Sequence, residues 1–139
     1  MPGYPHHLDL TVRNLEASIP FYETVLTRLG YGRTDQYAGG APCWAHSDAS
    51  YQFSIALHEA RSEAEHDRYT AGLHHFAFNA SSREDVEGIY EYLRQHNVKI
   101  LDAPAEYDYT PGYYAVFFAD PDGLKLEVVY EPCPEVPVA

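Results

Sequence analysis

In the opening segment Leu8, Leu10 and Val12 alternate with His7, Asp9 and Thr11, and 68 positions later Phe76 and Phe78 alternate with His75, Ala77 and Asn79. A period of two puts the apolar set on one face of a strand and the polar set on the other. A longer period follows each segment. Leu15, Ile19, Tyr22, Leu26 and Leu29 draw one helical stripe behind an Asn14 cap and stop at Gly30, while Val86, Ile89 and Leu93 draw a second that ends at Asn97. Ahead of the second stripe, Ser81 with Glu84, or Ser82 with Asp85, has capping-box spacing. Pro20 lies inside the first pattern and is expected to cost a hydrogen bond or bend the first turns. Strand-like stretches follow each helix, at about 32–37, 42–46 and 51–58 in the first half and about 98–102, 113–118 and 124–130 in the second. Gly39-Gly40 and Asp120-Pro121-Asp122-Gly123 supply turns between hairpin partners.

Strand, helix and three strands thus occur twice. The expected fold class is α+β, one domain over 1–139 built from two tandem βαβββ modules, 4–60 and 72–131, joined by the charged stretch 61–70 and followed by an extended tail, 132–139. One helix cannot cover both faces of its sheet. Two such modules side by side are expected to form a partly open, barrel-like cup with the helices outside and a concave, partly polar inner face that takes a small-molecule substrate.

Composition narrows the partners. With 9 basic and 21 acidic residues the formal charge is −12, which argues against nucleic acid and against anionic membrane surfaces. No apolar run approaches the roughly 20 residues of a membrane span, and the N-terminus shows no basic-then-apolar leader, so a cytoplasmic protein is expected. Cys43 and Cys133 stand 90 positions apart, a spacing that suits two free thiols better than a disulfide framework. The excesses are 13 Tyr and 8 His.

Among those histidines, His7 and His75 share the polar parity of their strands. In Leu124-Lys125-Leu126-Glu127-Val128-Val129-Tyr130, Glu127 likewise falls opposite Leu124, Leu126 and Val128. Two imidazoles and a carboxylate on the non-helical faces of three strands could converge as a facial ligand set for Fe, Zn, Mn, Ni or Co with positions left open. A strand His or Glu taken singly is more often a surface group or a satisfied polar contact, so pattern alone leaves both readings open.

The opening His7-Leu8-Asp9-Leu10-Thr11-Val12 with Asn14-Leu15-Glu16-Ala17-Ser18-Ile19-Pro20-Phe21-Tyr22-Glu23, the segment Gly72-Leu73-His74-His75-Phe76-Ala77-Phe78, and Phe118-Ala119-Asp120-Pro121-Asp122-Gly123-Leu124-Lys125-Leu126-Glu127 resemble the vicinal oxygen chelate superfamily of glyoxalases, bleomycin-resistance proteins and extradiol dioxygenases. The resemblance runs from about Tyr4 to Glu131, and Asp-Pro-Asp-Gly-x-x-x-Glu is its most specific element. It implies a homodimer and a divalent metal ion (Zn, Ni, Mn, Co or Fe) on His7, His75 and Glu127, with His6 and His74 at strand ends or supporting the ligands from behind. It also implies a glyoxalase-like isomerase or lyase acting on a substrate that chelates the metal through vicinal oxygens.

One departure matters. Where glyoxalase I places a fourth, carboxylate ligand this chain has Ala56, and Ser54, Ala56 and His58 are expected to face the cup. His58 becomes a candidate fourth ligand or acid/base group beside Glu127, although a rim histidine is the commoner case; Ser54 lines the pocket. The three-ligand set also resembles extradiol dioxygenases, which are generally longer chains, and fosfomycin-resistance thiol transferases, which carry a cationic loop that this acidic chain lacks. A metal-free, drug-sequestering protein of the bleomycin-resistance kind is the alternative outside catalysis; those proteins typically lack the triad. Tyr107, Tyr109, Tyr113 and Tyr114 either rim the cup, with Tyr109 and Tyr113 in the substrate pocket, or fill strand and dimer packing, the commoner use of such rings. Trp44 carries the same two readings. The loops 36–42 and 106–112 carry no signature that selects a substrate.

Overall fold

Asn14 and Ser82 start the two helices as their spacing predicts. In the computed structural model, which describes residues 2–34, 38–48, 50–134 and 136–138, Asn14 Oδ1 accepts from the Ala17 N–H at 3.3 Å and Ser82 Oγ accepts from the Asp85 N–H at 3.0 Å. Asp85 answers through Oδ2 on the Ser81 N–H at 3.0 Å, so both serines and the aspartate join one cap. The chain divides into two compact units, Met1–Glu65 and His66–Ala139.

The first unit runs β1 (His7–Val12), α1 (Leu15–Arg28), β2 (Gly32–Thr34), β3 (Cys43–Ser47) and β4 (Gln52–Glu59), in the sheet order β1-β4-β3-β2. β1 and β4 are parallel and the remaining pairs antiparallel. The strand expected over 32–37 is described only to Thr34; residues 35–37, and with them part of the 36–42 loop, lie outside the described residues. A short 3-10 turn over Ala38–Gly40 follows, with Gly39 at φ 85° and Gly40 at φ 73°. The second unit repeats the order with β5 (His75–Asn79), α2 (Arg83–Gln95), β6 (Lys99–Glu106), β7 (Tyr114–Ala119) and β8 (Lys125–Tyr130), arranged β5-β8-β7-β6. Both units are therefore βαβββ modules with open four-stranded sheets.

Two local expectations shift. The buried face of α1 is Ser18, Tyr22, Val25 and Leu26, with Leu15 and Ile19 only half-buried. Pro20 sits on the exposed side of an uninterrupted helix, where water can serve the carbonyl it leaves without a donor. β6 extends to Glu106, past the end expected near Asp102, and takes in Pro104. It is the edge strand of its sheet and slips register against β7 between Ile100 and Asp102 and again before Ala105, which is where a sheet tolerates proline.

Each module buries one apolar layer between helix and sheet. Val12, Trp44, Ile55 and Leu57 meet Tyr22, Val25 and Leu26 in the first, and Phe78, Phe118, Leu126 and Val128 accompany Val86, Ile89 and Leu93 in the second. Both cysteines are free thiols. Among the described residues no helix is long and apolar enough to cross a membrane.

Burial pushes the Tyr31 hydroxyl up to about 12, and the Tyr51 phenol adds to the shift. A phenol that ionises less readily folded than unfolded contributes stability that is complete below its ordinary value of about 10 and is lost as pH rises from there toward the folded value. Tyr31→Phe should therefore flatten the alkaline fall of the urea midpoint across that window; a slope equal to the parent's would contradict the assignment.

Candidate functional site

In the second unit, β8 lies between β5 and β7, so its side chains meet both neighbours. Glu127 is in register with Ala77 on β5 and Phe117 on β7, and His75 is in register with Lys125. Paired positions share a face, so His75, Lys125, Glu127 and Phe117 all stand on the side away from α2. The parity expected from the sequence is thus the parity observed.

Glu127 is 2% exposed, which takes a carboxylate almost wholly out of water. Such a group must be hydrogen-bonded or paired. The Tyr113 hydroxyl donates to Glu127 Oε1 at 2.5 Å, and His75 Nε2 stands 3.4 Å from Oε2. Burial, followed by the hydrogen bond to Glu127, raises the Tyr113 hydroxyl well above its ordinary value, so it remains a donor throughout the physiological range. On its other edge the His75 ring meets His74, Nδ1 to Nδ1 at 2.7 Å. Partial desolvation and the charges of His75, Lys125 and Arg68 lower the His74 imidazole, which favours its neutral form.

The turn that delivers Glu127 is held by its own aspartate. Asp120 is buried, and its Oδ1 accepts from the N–H groups of Asp122 at 2.9 Å and Leu124 at 2.8 Å. Gly123 takes φ 80° in that turn, a conformation that Gly adopts without the Cβ penalty. The Asp-Pro-Asp-Gly element is therefore a register device: it sets which residues of β8 face β5 and β7.

The packing use expected of the tyrosines is observed within the second unit. Tyr107 and Tyr113 pack with Leu101 on buried Ala115, Phe117 and Val129, which is an apolar layer on the open side of the sheet. Tyr109 stacks on Tyr107 at 5.6 Å with rings 3° from parallel, meets Tyr113 edge-on at 5.0 Å, and is 67% exposed. Tyr114 lies elsewhere, donating to Glu87 of α2. Lys125 places its ammonium 4.3 Å from the centre of the Phe117 ring. Trp44 is core, fully buried in the first unit.

On the open face of the first unit, His7 is in register with Ser54, Asp9 with Ala56 and Thr11 with His58. The His6 and His7 rings repeat the arrangement of the second doublet, Nδ1 to Nδ1 at 2.9 Å. Asp9 Oδ2 reaches diagonally to His58 Nε2 at 2.8 Å. Ala56 is buried between its register partners, Asp9 on β1 and Cys43 on β3. Burial raises the Cys43 thiol, and the Ser54 hydrogen bond opposes this only in part, so Cys43 is a poor thiolate nucleophile near neutral pH.

Of the expected site residues, the second unit brings His75, Glu127 and Tyr113 into direct contact, with Tyr109 beside Tyr113. The first unit holds His7, Ser54 and His58 on one sheet face. Among the described residues, neither unit by itself gathers three His, Cys, Asp or Glu side chains closely enough to hold a metal ion. Sequence reasoning assigned no partner to His58. Asp9 has the parity of His7 and could have been singled out, but its pairing depends on the β1–β4 register, which no local pattern encodes. The Tyr113–Glu127 contact spans 14 positions and depends on the 107–113 loop folding back.

Residues 4–128 match the Glyoxalase/Bleomycin resistance protein/Dioxygenase superfamily model. The chain is 34% identical over 129 residues to the uncharacterized protein YqjT of Bacillus subtilis, covering 92% of this chain and 99% of that one. Among solved structures, a proposed glyoxalase from Bacillus halodurans is 30% identical with a TM-score of 0.74, covering 94% of this chain and 97% of the other. A glyoxylase/bleomycin resistance protein/dioxygenase domain from Frankia, 19% identical with a TM-score of 0.70 over 97% and 96% of the two chains, shares the fold.

Proposed function

The chain belongs to the glyoxalase/bleomycin resistance protein/dioxygenase superfamily, and from that premise we propose that it is a metal-dependent, glyoxalase-like enzyme of the isomerase or lyase type. Its substrate would chelate a divalent metal through two adjacent oxygens, and His7, His75 and Glu127 would be the protein's ligands. The observation that carries this reading is Glu127. A carboxylate 2% exposed, with an imidazole nitrogen 3.4 Å from one of its oxygens, has the donor chemistry of half a metal site. A buried anion left to one hydroxyl and one imidazole is under-compensated, and a divalent cation would offset that cost.

When bound, such an ion supplies Lewis acidity to the substrate's paired oxygens, which stabilises a developing enolate or alkoxide. The protein's own groups do the rest. Glu127 could take a proton at Oε2 only where the substrate displaces it from the ligand set, the Tyr113 hydroxyl still holding Oε1. His58, oriented by Asp9 through Nε2, is the second acid/base group. Ser54 and Tyr109 line the substrate's approach. Working as a homodimer is part of the same reading and rests on the family resemblance.

The test is metal analysis of protein purified without chelator. About one equivalent of a divalent metal per chain is expected, falling well below stoichiometric in His7→Ala and Glu127→Ala. Wild-type protein that neither carries nor takes up Zn, Ni, Mn, Co or Fe would overturn this function and leave metal-free ligand sequestration. Iron together with oxygen consumption on catechols would replace the isomerase or lyase reading with ring cleavage.

A further inference from the structure

With 21 acidic residues to 9 basic ones, the chain has carboxylates enough to pair every cation it carries. Arg13, Arg33, Arg83 and Arg94 are paired in this way, with Glu63, Glu23, Glu106 and Glu91. Two cations of the second unit depart from the rule. Among the described residues neither Arg68 nor Lys125 has an ion-pair partner, and Arg68 Nε is shielded from water with no hydrogen-bond partner. We propose that these two cations recognise a carboxylate, and that the ligand of this part of the second unit is an aromatic carboxylate. The inference names the substrate class of the site proposed above and rests on that reading for the ligand's being a substrate.

The acid next to Arg68 in the chain is engaged elsewhere. Asp67 Oδ1 accepts the Tyr69 N–H at 2.9 Å, and its carbonyl accepts from Thr70 through N–H at 3.2 Å and Oγ1 at 2.8 Å, which closes a turn with Arg68 and Tyr69 at its centre. A desolvated guanidinium N–H without an acceptor is unfavourable, and a carboxylate can meet two N–H groups of the planar guanidinium at once. Lys125 is half-buried, and its ammonium lies 4.3 Å from the centre of the Phe117 ring. Held over a ring rather than on an acid, it keeps its full charge for an anion.

An unbroken run of rings connects the two cations. The Arg68 guanidinium lies 5.3 Å from the centre of Tyr69, whose ring meets His74 at 5.7 Å; His74 meets His75 at 5.0 Å, and His75 meets Phe117 at 6.4 Å. Beyond Phe117 the run continues through Tyr107 at 5.5 Å to Tyr109, stacked at 5.6 Å. Tyr69 is 79% exposed and Tyr109 67%, so both ends of the run present open ring surface to a planar ligand. An aliphatic acid would leave that surface unused, and a neutral aromatic would leave the two cations unmet. A carboxylate suits the place better than a phosphate, because the buried Glu127 beside His75 and the net charge of −12 both oppose a second negative charge.

The experiment is isothermal titration calorimetry of the protein as purified, with 2-naphthoate as the probe and 2-naphthamide, decahydro-2-naphthoate and 2-naphthyl phosphate as comparators. The naphthoate should bind at least about 10-fold more tightly than the neutral amide or the saturated acid, and no more weakly than the phosphate. Lys125→Met and Arg68→Gln should each remove most of the preference over the amide while leaving amide affinity unchanged. Arg94→Gln, whose charge is already paired with Glu91, should alter neither. Melting curves confirm that each variant is folded; if Lys125→Met or Arg68→Gln is not, raised salt, which screens the same attraction in the unaltered protein and should narrow the preference, takes its place. No naphthoate binding, equal binding of the amide, or a preference that survives both substitutions overturns the carboxylate site. Equal binding of the saturated acid overturns the aromatic class, and tighter binding of the phosphate overturns the carboxylate. Bound metal without the naphthoate preference removes this inference alone, whereas the preference without bound metal removes the metal-dependent reading and leaves the aromatic carboxylate as the ligand of a sequestering protein.

Discussion

Trp44→Ala is expected to destabilise the protein by about 3–5 kcal/mol, read from the urea midpoint at constant slope. Trp44 is fully buried at the centre of β3, in register with Arg33 on one side and Ile55 on the other. Its indole N–H donates to Glu23 Oε2 at 2.5 Å, which ties β3 to α1, and the Arg33 guanidinium lies 4.9 Å from the ring centre. Truncation removes the largest side chain of the first unit's core and leaves a cavity that neighbouring backbone cannot close. Trp44→Phe keeps most of the buried area and loses the hydrogen bond. Because Glu23 retains Arg33 at 3.8 Å and contact with water, that variant should cost only about 1–2 kcal/mol. A loss below about 1 kcal/mol for the alanine variant would mean that the first unit is not held by this layer.

The second large effect separates binding from folding at Glu127. Glu127→Gln preserves shape and an acceptor for the Tyr113 hydroxyl, so stability of the metal-free protein should change by no more than about 1 kcal/mol. The amide is neutral, however, and metal affinity should fall by at least about 100-fold. Glu127→Ala should lose the metal as well and cost about 2–4 kcal/mol, since it leaves the Tyr113 hydroxyl buried without its acceptor and opens a void beside Phe117. Equal metal affinity in Glu127→Gln and the parent would remove Glu127 from the ligand set. Equal stability of all three would show that the carboxylate is dispensable to the fold's interior.

Much of the architecture was legible because it is written in short-range periodicities. The alternation in His7–Val12 and in His75–Asn79 identified strands and the correct inward face of each, since side-chain direction along a strand is a local property. The caps at Asn14 and Ser82 were legible for the same reason: donor and acceptor are three residues apart. Where the reading slipped, the deciding contact was not local. β6 runs past the end expected near Asp102 and takes in Pro104, which the edge of the sheet tolerates because no further strand needs its missing N–H. The stripe of α1 is expected on Leu15, Ile19, Tyr22, Leu26 and Leu29, whereas the buried residues are Ser18, Tyr22, Val25 and Leu26, a choice set by the sheet it packs on.

The candidate site divides along the same line. The sequence by itself determined which side chains stand on the non-helical faces, because parity follows from backbone geometry alone: His7, Ser54 and His58 in one module, His75 and Glu127 in the other. The repeated His doublets and the Asp-Pro-Asp-Gly turn were visible too. Only the tertiary structure decided which of these groups touch. Strand register brought Asp9 to His58 across 49 positions and set His75 beside Glu127, and the fold of the 107–113 loop brought the Tyr113 hydroxyl to Oε1. The degree to which Glu127 is removed from water was likewise a tertiary outcome. Burial and hydrogen-bond partnership are sums over neighbours distant in the chain, and a pattern of period two carries no information about who those neighbours are.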